Sequence, residues 1–432
     1  MFRALGHRNY RLFFSGQIIS LIGTWMQSIA QSWLVYRLTK SSLLLGLVGF
    51  AGQIPVFLFA TLGGVFADRH SRHRIVIATQ TSAMLLAFIL SALTLLGHIQ
   101  VWQILLLASL LGIVNAFDIP ARQAFIVEMV NSEDLINAIA LNSAMFNGAR
   151  ILGPAVAGVL VAAIGEGWCF FANGVSFLAV IVGLLLMIVT PRERSGRMAS
   201  GLEGVREGFR FVAHTGPIRA LLFLLGLVSL TGMPYAVLMP IFADKILHSG
   251  ARTLGLLMGS TGVGALAATL VMAARREVHG LGRWINYASA GFGSTLILFS
   301  FSRSLPLSLA LLLPAGFCML IQMASSNTLI QTMVPDDLRG RVMSVYSMMF
   351  MGMAPFGALL AGVVAHRLGA PITVAIGGTV CIAGSLMFGS KWTTLRAEAH
   401  QLIVAQGIRS GEPVEEMTGQ MDALSNRKVP TT

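Results

Sequence analysis

The sequence predicts an all-α integral membrane protein, with twelve transmembrane helices in two pseudo-symmetric six-helix bundles. Three observations predict this fold class: an apolar composition, twelve long apolar stretches and an internal repeat. Of the 432 residues, 55% are hydrophobic and only 11% are charged, and the mean hydropathy is +0.76. Soluble domains carry about 25% charged residues. The composition therefore excludes a soluble globular enzyme and a disordered chain.

A spanning helix needs about 20 mainly apolar residues, and twelve stretches of the chain meet this requirement. The first six are Phe13–Tyr36, Leu43–Ala67, Ile75–Leu96, Val101–Phe125, Ala138–Ala163 and Trp168–Val189. The second six are Ile218–Phe242, Thr253–Ala274, Trp284–Ser302, Leu305–Ile330, Val342–His366 and Pro371–Lys391. The first stretch is too long for a cleaved signal peptide, and no small-residue cleavage site follows it.

The basic residues indicate the orientation of these stretches. With the N-terminus placed inside the cell, the inside connections carry 23 of the 30 Lys and Arg residues. The outside connections carry six, and Arg150 falls within a span. This positive-inside pattern predicts a multi-pass protein of the bacterial inner membrane with both termini in the cytoplasm. Because the basic residues are dispersed over many loops, we expect no nucleic-acid partner.

The longest internal connection divides the chain into two halves. We predict an N-terminal bundle over residues 1–190, a cytoplasmic linker over 191–217, a C-terminal bundle over 218–391 and a polar cytoplasmic tail over 392–432. Within the linker, Leu202, Val205, Phe209 and Val212 share one helical face. This pattern predicts an amphipathic helix along the inner membrane surface. The alternative is a plain solvated linker.

The two halves resemble each other in sequence at a spacing near 204 residues. Glu128–Gly165 is similar to Thr332–Gly369, and four glycines of the first segment fall on glycines of the second. The pairs are Gly148 with Gly352, Gly153 with Gly357, Gly158 with Gly362 and Gly165 with Gly369. In secondary transporters the substrate path lies between two such halves.

A charged motif occupies the inside connection between the second and third stretches, which is written GGVFADRHSRHR. Gly64, Asp68, Arg69 and Arg72 match the G-x-x-x-D-R-x-x-R signature, and this part of the chain resembles the major facilitator superfamily. Glycine allows close helix packing, an aspartate can cap a helix, and arginines can pair with carboxylates at the membrane face. The alternative is an ordinary basic loop that sets the topology.

Longer segments, including NAFDIPARQAFIVEMV and DDLRGRVMSVY, resemble the branch of this superfamily that includes the enterobactin exporter. The resemblance implies the major facilitator fold and export of a small organic compound, siderophore-like or drug-like, by proton antiport. It implies a small-molecule substrate, protons and the lipid bilayer as partners, with no cofactor. We expect a monomer. Importers and uniporters share the fold and remain alternatives.

The fifth stretch contains GARILGPAVAG, which is similar to the antiporter motif of exporters in this superfamily. Its motif residues are Gly148, Gly153, Pro154 and Gly158. Small residues with one proline predict a closely packed, bendable helix that gates the inner half. Generic helix packing is the alternative.

Few ionisable residues fall inside the spans, where they are costly and suggest function. Arg150 lies near the predicted midplane, and we expect it either to contact the substrate or to bind carbonyl groups at a helix interface. Asp118 and Arg122 lie one turn apart near the inner end of the fourth stretch. They can pair with each other, or Asp118 can join arginines in a cytoplasmic gate.

Uncharged polar side chains are the remaining candidates for the substrate path. With Arg150, we predict a cavity lined by Gln27, Gln31, Asn115, Asn147 and Gln322. We further expect Asp68 to cap the eleventh spanning helix near Asp336–Arg341, while Arg69 and Arg72 meet carboxylates such as Asp118.

The sequence lacks the motifs that are typical of other classes of function. The chain contains no G-x-S-x-G, no H-E-x-x-H and no P-loop, and its three cysteines lie in apolar runs. We therefore expect no catalytic residues, no metal site and no ATP-driven pump. A membrane-embedded enzyme is the weakest alternative.

Overall fold

The structure, a computed structural model, describes residues 3–188, 201–274 and 280–410, and the regular structure in these ranges is helical. The first half contains α1 (Arg8–Thr39), α2 (Ser42–Arg69), α3 (Arg72–Leu95), α4 (Val101–Met129), α5 (Leu135–Ile164) and α6 (Glu166–Leu185). The linker contains α7 (Gly201–His214). The second half contains α8 (Gly216–Leu227), α9 (Tyr235–Ile241), α10 (Ala251–Ala274), α11 (Leu281–Phe301), α12 (Leu305–Met333), α13 (Asp336–Met351), α14 (Met353–Leu368) and α15 (Ala370–Ser410).

All twelve predicted stretches fall on helical structure. Among the described residues, ten helical segments are long and apolar enough to cross a membrane. The exceptions are α1 and α11, whose polar side chains, such as Gln17 and Gln27 in α1, lower their mean hydropathy. The all-helical membrane fold is confirmed, and the count of twelve spans stays a prediction.

Two of the predicted stretches are interrupted helices. In the seventh, wide π-helical turns at Val228–Gly232 and Phe242–Ile246 flank α9. In the eleventh, α13 and α14 meet at Gly352. Prolines at 234, 240 and 355 lie near these breaks, where they lack the N–H that a regular helix needs. Turns of the π type occur often at functional sites.

Helix packing repeats between the halves. In the first half α2 packs on α4, and in the second half α10 packs on α12, which are the equivalent helices. The halves meet along two seams, α5 with α10 and α2 with α14, and each seam is the repeat image of the other. We call the end where α1 begins the inner end and the end where α1 terminates the outer end, following the predicted orientation.

Glycines allow the two seams to form. A Cβ built on Gly158 of α5 would lie 2.9 Å from the Cα of Gly255 on α10. A Cβ on Gly362 of α14 would lie 2.8 Å from the Cα of Gly46 on α2. Since real Cβ atoms do not approach other atoms so closely, the repeated glycines set the distance between the halves.

The linker forms the helix α7, which packs on α13 at the inner end. Glu207 pairs with Arg341, and a Cβ on Gly208 would lie 2.6 Å from the Arg341 carbonyl oxygen. Val212 is buried and Phe209 is exposed. Residues 189–200, 275–279 and 411–432, which include Arg192, Arg275 and the predicted tail from 411 onward, lie outside the described residues.

Candidate functional site

A polar cavity of about 300 Å³ lies within the N-terminal half, between α1, α2, α3, α4 and α6, with Val237 of α9 at its edge. One stripe of α1 supplies much of its polar surface. Its polar lining residues on α1 are Gln17, Ser20, Thr24, Gln27, Ser28, Gln31 and Ser32. The cavity is therefore formed almost entirely by one of the two halves.

The acidic group in the lining of this cavity is Asp118 on α4, whose side chain is buried. One carboxylate oxygen accepts from Thr79 Oγ1 at 2.8 Å and from Gln80 Nε2 at 3.0 Å. The other accepts from Arg122 Nε at 3.0 Å. Because these donors come from α3 and from the next turn of α4, the carboxylate is held as the centre of a polar network.

The other amide groups near this network differ in their hydrogen bonds. Asn173 Nδ2 donates to Gln27 Oε1 at 2.7 Å, so the Gln27 oxygen has a partner. Gln17 Oε1 and Gln80 Oε1 are buried and accept no hydrogen bond from the described residues. Buried acceptors are rarely left unpaired. These two oxygens therefore mark places where a water or a ligand group can bind.

The predicted cavity residues divide into two groups. Gln27, Gln31 and Asn115 line the cavity. Asn147 is not on the lining, and its side chain donates to Ser143 O one turn earlier at 2.9 Å. Gln322 is buried in the C-terminal half, where its Nε2 has no acceptor among the described residues.

Arg150 also lies away from this cavity, at the seam between the halves. Its guanidinium carbon is 5.8 Å from the ring centroid of Trp25 on α1. The Tyr235 phenol, on α9 of the other half, lies within reach of an electrostatic interaction with it. Among the described residues, no carboxylate pairs with Arg150. The side chain is thus a half-buried cation between aromatic groups of both halves.

The motif loop is arranged within the N-terminal half. Arg72 pairs with Glu128 at 3.0 Å and with Asp68 at 3.3 Å. Asp68 and Arg69 are exposed, and neither contacts α13 through an ion pair among the described residues. In this arrangement Asp118 pairs with Arg122, so the expected contact of Asp118 with Arg69 or Arg72 is not made.

Glycine packing in the motif loop differs from the expectation. A Cβ on Gly64 would meet no atom within 4 Å. The preceding Gly63 faces α4 instead, against the backbone of Ala116. The sequence contains both glycines in a row, so the rotation of α2 decides which one packs.

The fifth-helix motif has two packing roles. Gly153 packs against Trp25 and Ile22 of α1, within the N-terminal half. Gly158 and the carbonyl of Pro154 pack against Gly255 of the C-terminal half. Gly148 faces open space, with no atom within 4 Å of a built Cβ.

The outer end is closed by contacts across the halves. Lys40 Nζ pairs with Asp244 at 2.7 Å, and Ser42 Oγ donates to the Gly362 carbonyl at 3.3 Å. At the inner end, the ion pairs among the described residues stay within one half or join α13 to the linker helix. These inner pairs are Arg3–Asp134, His7–Asp134, Arg72–Asp68, Arg72–Glu128, Arg122–Asp118, Arg339–Asp336 and Arg341–Glu207.

Thr79 and Gln80 belong to this site and were not predicted from the sequence. The available signal was the run of polar residues near the start of α3, at the same depth as Asp118 on the neighbouring helix. No group of His, Cys, Asp or Glu side chains suited to a metal ion occurs in the part of the chain that the structure describes.

Known proteins resemble this chain over most of its length. The staphyloferrin A transporter of Staphylococcus aureus is 27% identical over 90% of this chain and 98% of that protein. The multidrug efflux pump Tap of Mycolicibacterium fortuitum is 27% identical over 80% of this chain and 87% of Tap. A crystal structure of the nucleoside transporter NupG superposes with a TM-score of 0.72, at 12% identity, over 89% of this chain and 99% of that one.

Two helical bundles with a polar internal cavity define a membrane transporter of the major facilitator fold. Residues 1–414 match the family described as transmembrane secretion effector. The chain belongs to this family, and the resemblance noted from its motifs is confirmed. Its family and relatives are transporters, several of them efflux proteins, so the chain is a multi-pass membrane transporter and not an enzyme.

Proposed function

We propose that this protein exports a small organic compound across the bacterial inner membrane in exchange for protons, by alternating access. The observation that carries the proposal is the buried Asp118–Arg122 pair on the wall of a polar cavity. A transporter coupled to protons needs a titratable group that the path can reach, and ionisable groups within spans are costly and mark such paths. A siderophore-like or drug-like substrate is supported by the relatives, which include a staphyloferrin A transporter and a multidrug efflux pump.

We assign the proton to Asp118. Its carboxylate accepts from Arg122, and protonation of the carboxyl removes the charge that holds this arginine. Proton binding and release of Arg122 are therefore linked, and the freed guanidinium can bind another acceptor on the cavity wall. Gln17 Oε1 and Gln80 Oε1, on residues of the cavity lining, are buried acceptors with no hydrogen-bond partner among the described residues.

We assign the structure to the state with its outer end closed. The Lys40–Asp244 pair joins the halves at that end, whereas the ion pairs of the motif loop stay within the N-terminal half. Asp68 is exposed in the present state. In the opposite state the Lys40–Asp244 pair separates, and Asp68 caps the N-terminus of α13. Capping and helix-dipole interactions are worth roughly 0.5–2 kcal/mol each, enough to shift a two-state population several-fold.

We propose that Arg150 binds the substrate when the seam between the halves opens. It is a cation without a carboxylate partner among the described residues, and it lies between Trp25 and Tyr235 of opposite halves. A guanidinium on an aromatic ring can accept a planar anionic group as its second partner. Residues 1–190 and 218–391 move as two bodies in this scheme, with the monomer as the working unit.

The test uses inside-out membrane vesicles and a panel of siderophores and drugs. We expect accumulation of at least one compound to require an imposed proton gradient and to stop when an uncoupler is added. Equilibration of the compound without accumulation, unaffected by the uncoupler, would instead indicate a uniporter. Gene deletion provides the directional control, because loss of an exporter lowers extracellular substrate and loss of an importer raises it.

The topology is tested by labelling single cysteines in a variant that lacks Cys169, Cys318 and Cys381. Ser304→Cys, exposed at the outer end, should react with an impermeant reagent added to whole cells. Ser132→Cys, exposed at the inner end, should react only after the cells are opened. The reverse pattern contradicts the orientation with both termini in the cytoplasm.

A further inference from the structure

A second cavity, of about 440 Å³, lies at the outer end and is formed mainly by the C-terminal half. Apart from the Tyr36 phenol, the titratable side chains of its lining are basic. The lining side chains of this type are Lys40, Lys245, His248, Arg303 and His366. It is distinct from the cavity around Asp118, with which it shares no lining residue.

The charge balance at the outer end leaves this cleft uncompensated. The connections at that end carry six Lys and Arg residues, namely Arg37, Lys40, Lys245, Arg252, Arg303 and Arg367. They carry two acidic residues, Glu166 and Asp244. Both acids are already paired, Glu166 with Arg37 and Asp244 with Lys40, each at 2.7 Å. The other four basic residues have no carboxylate partner among the described residues.

Backbone conformation points to the same cleft. Lys40 and His248 have φ angles of 51° and 49°, and they are the non-glycine residues with positive φ in the described ranges. Both line the cleft. This left-handed conformation favours glycine and is costly for other residues. Strained residues of this kind cluster at functional sites, so the occurrence of both in one cleft agrees with a functional site there.

Arg303 is positioned to bind a ligand. Its Nη1 donates to the carbonyl oxygens of Ser300 and Ser302, both at 3.2 Å. These bonds fix one end of the guanidinium and leave the N–H groups of Nε and Nη2 without an acceptor among the described residues. A guanidinium presents donors in a planar fork that matches carboxylate and phosphate oxygens.

We propose that this outer cleft is a binding site for an anion that carries at least two negative charges, of the polycarboxylate or phosphate type. Lys245 and Arg303 supply the uncompensated charge, and His248 and His366 add hydrogen-bond donors. Such an anion can be a soluble compound outside the cell or the headgroup of an anionic lipid. The site uses none of the residues to which the proton and the substrate are assigned above, and it shares Lys40 with the ion pair that closes the outer end.

Thermal unfolding of the full-length protein in phosphatidylcholine nanodiscs tests this proposal, with inorganic pyrophosphate as the probe. A ligand that binds the folded state raises the unfolding midpoint in a saturable way. We expect this rise with pyrophosphate and no comparable rise with sodium chloride at matched ionic strength. Lys245→Gln/Arg303→Gln should raise the apparent Kd for pyrophosphate about tenfold.

The matched control is Arg252→Gln/Arg367→Gln. It removes the same charge from exposed residues at the same end that do not line the cleft, and it should leave the Kd within about twofold. No saturable response in the unaltered protein, or equal weakening in both double variants, would overturn the site. A pyrophosphate response that disappears in nanodiscs containing cardiolipin, an anionic lipid with two phosphate charges, supports the site with a lipid headgroup as its ligand. A response that persists there supports a soluble anion.

Discussion

In the N-terminal half, α4 places Asp118 and Arg122 on the wall of a polar cavity. In the C-terminal half, α12 has the same length, and Gln322 and Ser326 stand at the equivalent positions. Both side chains are buried there, and Gln322 Nε2 and Ser326 Oγ have no partner among the described residues. The charged pair of one half therefore corresponds to two neutral polar groups in the other.

The seams between the halves, in contrast, are built alike in both halves. Gly158 and Gly362 are repeat-related, and each packs against a glycine of the other half, Gly255 and Gly46 respectively. Gly165 and Gly369 are also repeat-related and have nearly the same φ, 85° and 86°. The difference teaches that close backbone packing is needed in both halves, whereas the buried charge is needed in one only.

The largest effect should come from breaking the charged pair. Asp118→Asn leaves Arg122 in the protein interior without its counter-charge, which costs about 3–5 kcal/mol for a buried pair. We expect a lower unfolding midpoint and the loss of proton-driven transport in vesicles. The double variant Asp118→Asn/Arg122→Gln should regain most of the stability and still not couple transport to protons.

Gln322→Leu is the matched change in the other half. The amide nitrogen Nε2 that it removes has no hydrogen-bond partner among the described residues. We therefore expect an equal or slightly higher unfolding midpoint and unchanged proton coupling. If Gln322→Leu abolishes coupling and Asp118→Asn preserves it, the assignment of the charged site to the N-terminal half is wrong.

The second effect tests the symmetric seam. Gly158→Leu places a side chain where the Gly255 backbone already lies, and overpacking of this kind costs about 1–3 kcal/mol. We expect the closed outer end to be disfavoured and transport to slow. Gly148→Leu belongs to the same sequence motif but enters open space, and it should leave the unfolding midpoint and transport nearly unchanged. Equal effects of the two variants would contradict the conclusion that Gly158 packs at the seam and Gly148 does not.

The positions of the helices and the repeat could be predicted from the sequence, because apolar length and glycine spacing follow directly from burial in a membrane. The two π-helical turns around α9 could not be predicted, since a stretch interrupted this way is as apolar as a continuous helix. They matter for the site because Tyr235 follows the first turn.

The direction of each side chain was the harder prediction. Depth in the membrane places Asn147 and Arg150 with Gln27 and Asn115, and for Arg150 the scarcity of buried charge is a second reason. Neither reason fixes the rotation of a helix about its axis. Asn147 and Arg150 lie on α5, which packs mainly on α1 and α10 and supplies no residue to the cavity lining. Helix depth thus predicted which residues are in the interior, and tertiary packing decided which of them meet.

The third effect concerns the charge at the seam. Arg150→Ala should raise the apparent KM for the exported compound about tenfold, equivalent to about 1.4 kcal/mol, since a hydrogen bond to a charged group contributes about 1.5–3 kcal/mol. Arg150→Lys keeps the charge without the planar fork and should have an intermediate KM. A purely structural arginine would lower the unfolding midpoint in both variants and leave KM unchanged, so both quantities are measured on the same preparations.

The smallest effect should come from the ion pair that joins the halves at the outer end. The Lys40 and Asp244 side chains are 58% and 35% exposed, and pairs of this kind contribute about 0.2–1 kcal/mol. Asp244→Asn should therefore shift the population from closed towards open by roughly 1.4-fold to 5-fold. Spin labels on His98→Cys and Ser304→Cys, exposed in outer loops of the two halves, report this as a larger fraction of long distances.

The Arg37–Glu166 pair provides the control for this prediction, because it lies at the same end but joins two helices of one half. Arg37→Gln leaves Glu166 without its partner and lowers the unfolding midpoint, yet it has no reason to separate the halves. The exchange Lys40→Asp/Asp244→Lys restores opposite charges across the seam and should return the distance distribution to that of the unaltered protein. An equal shift in Arg37→Gln, or no recovery in the exchange variant, means that the cross-half pair does not hold the outer end closed. In that case the glycine seams alone account for the closure.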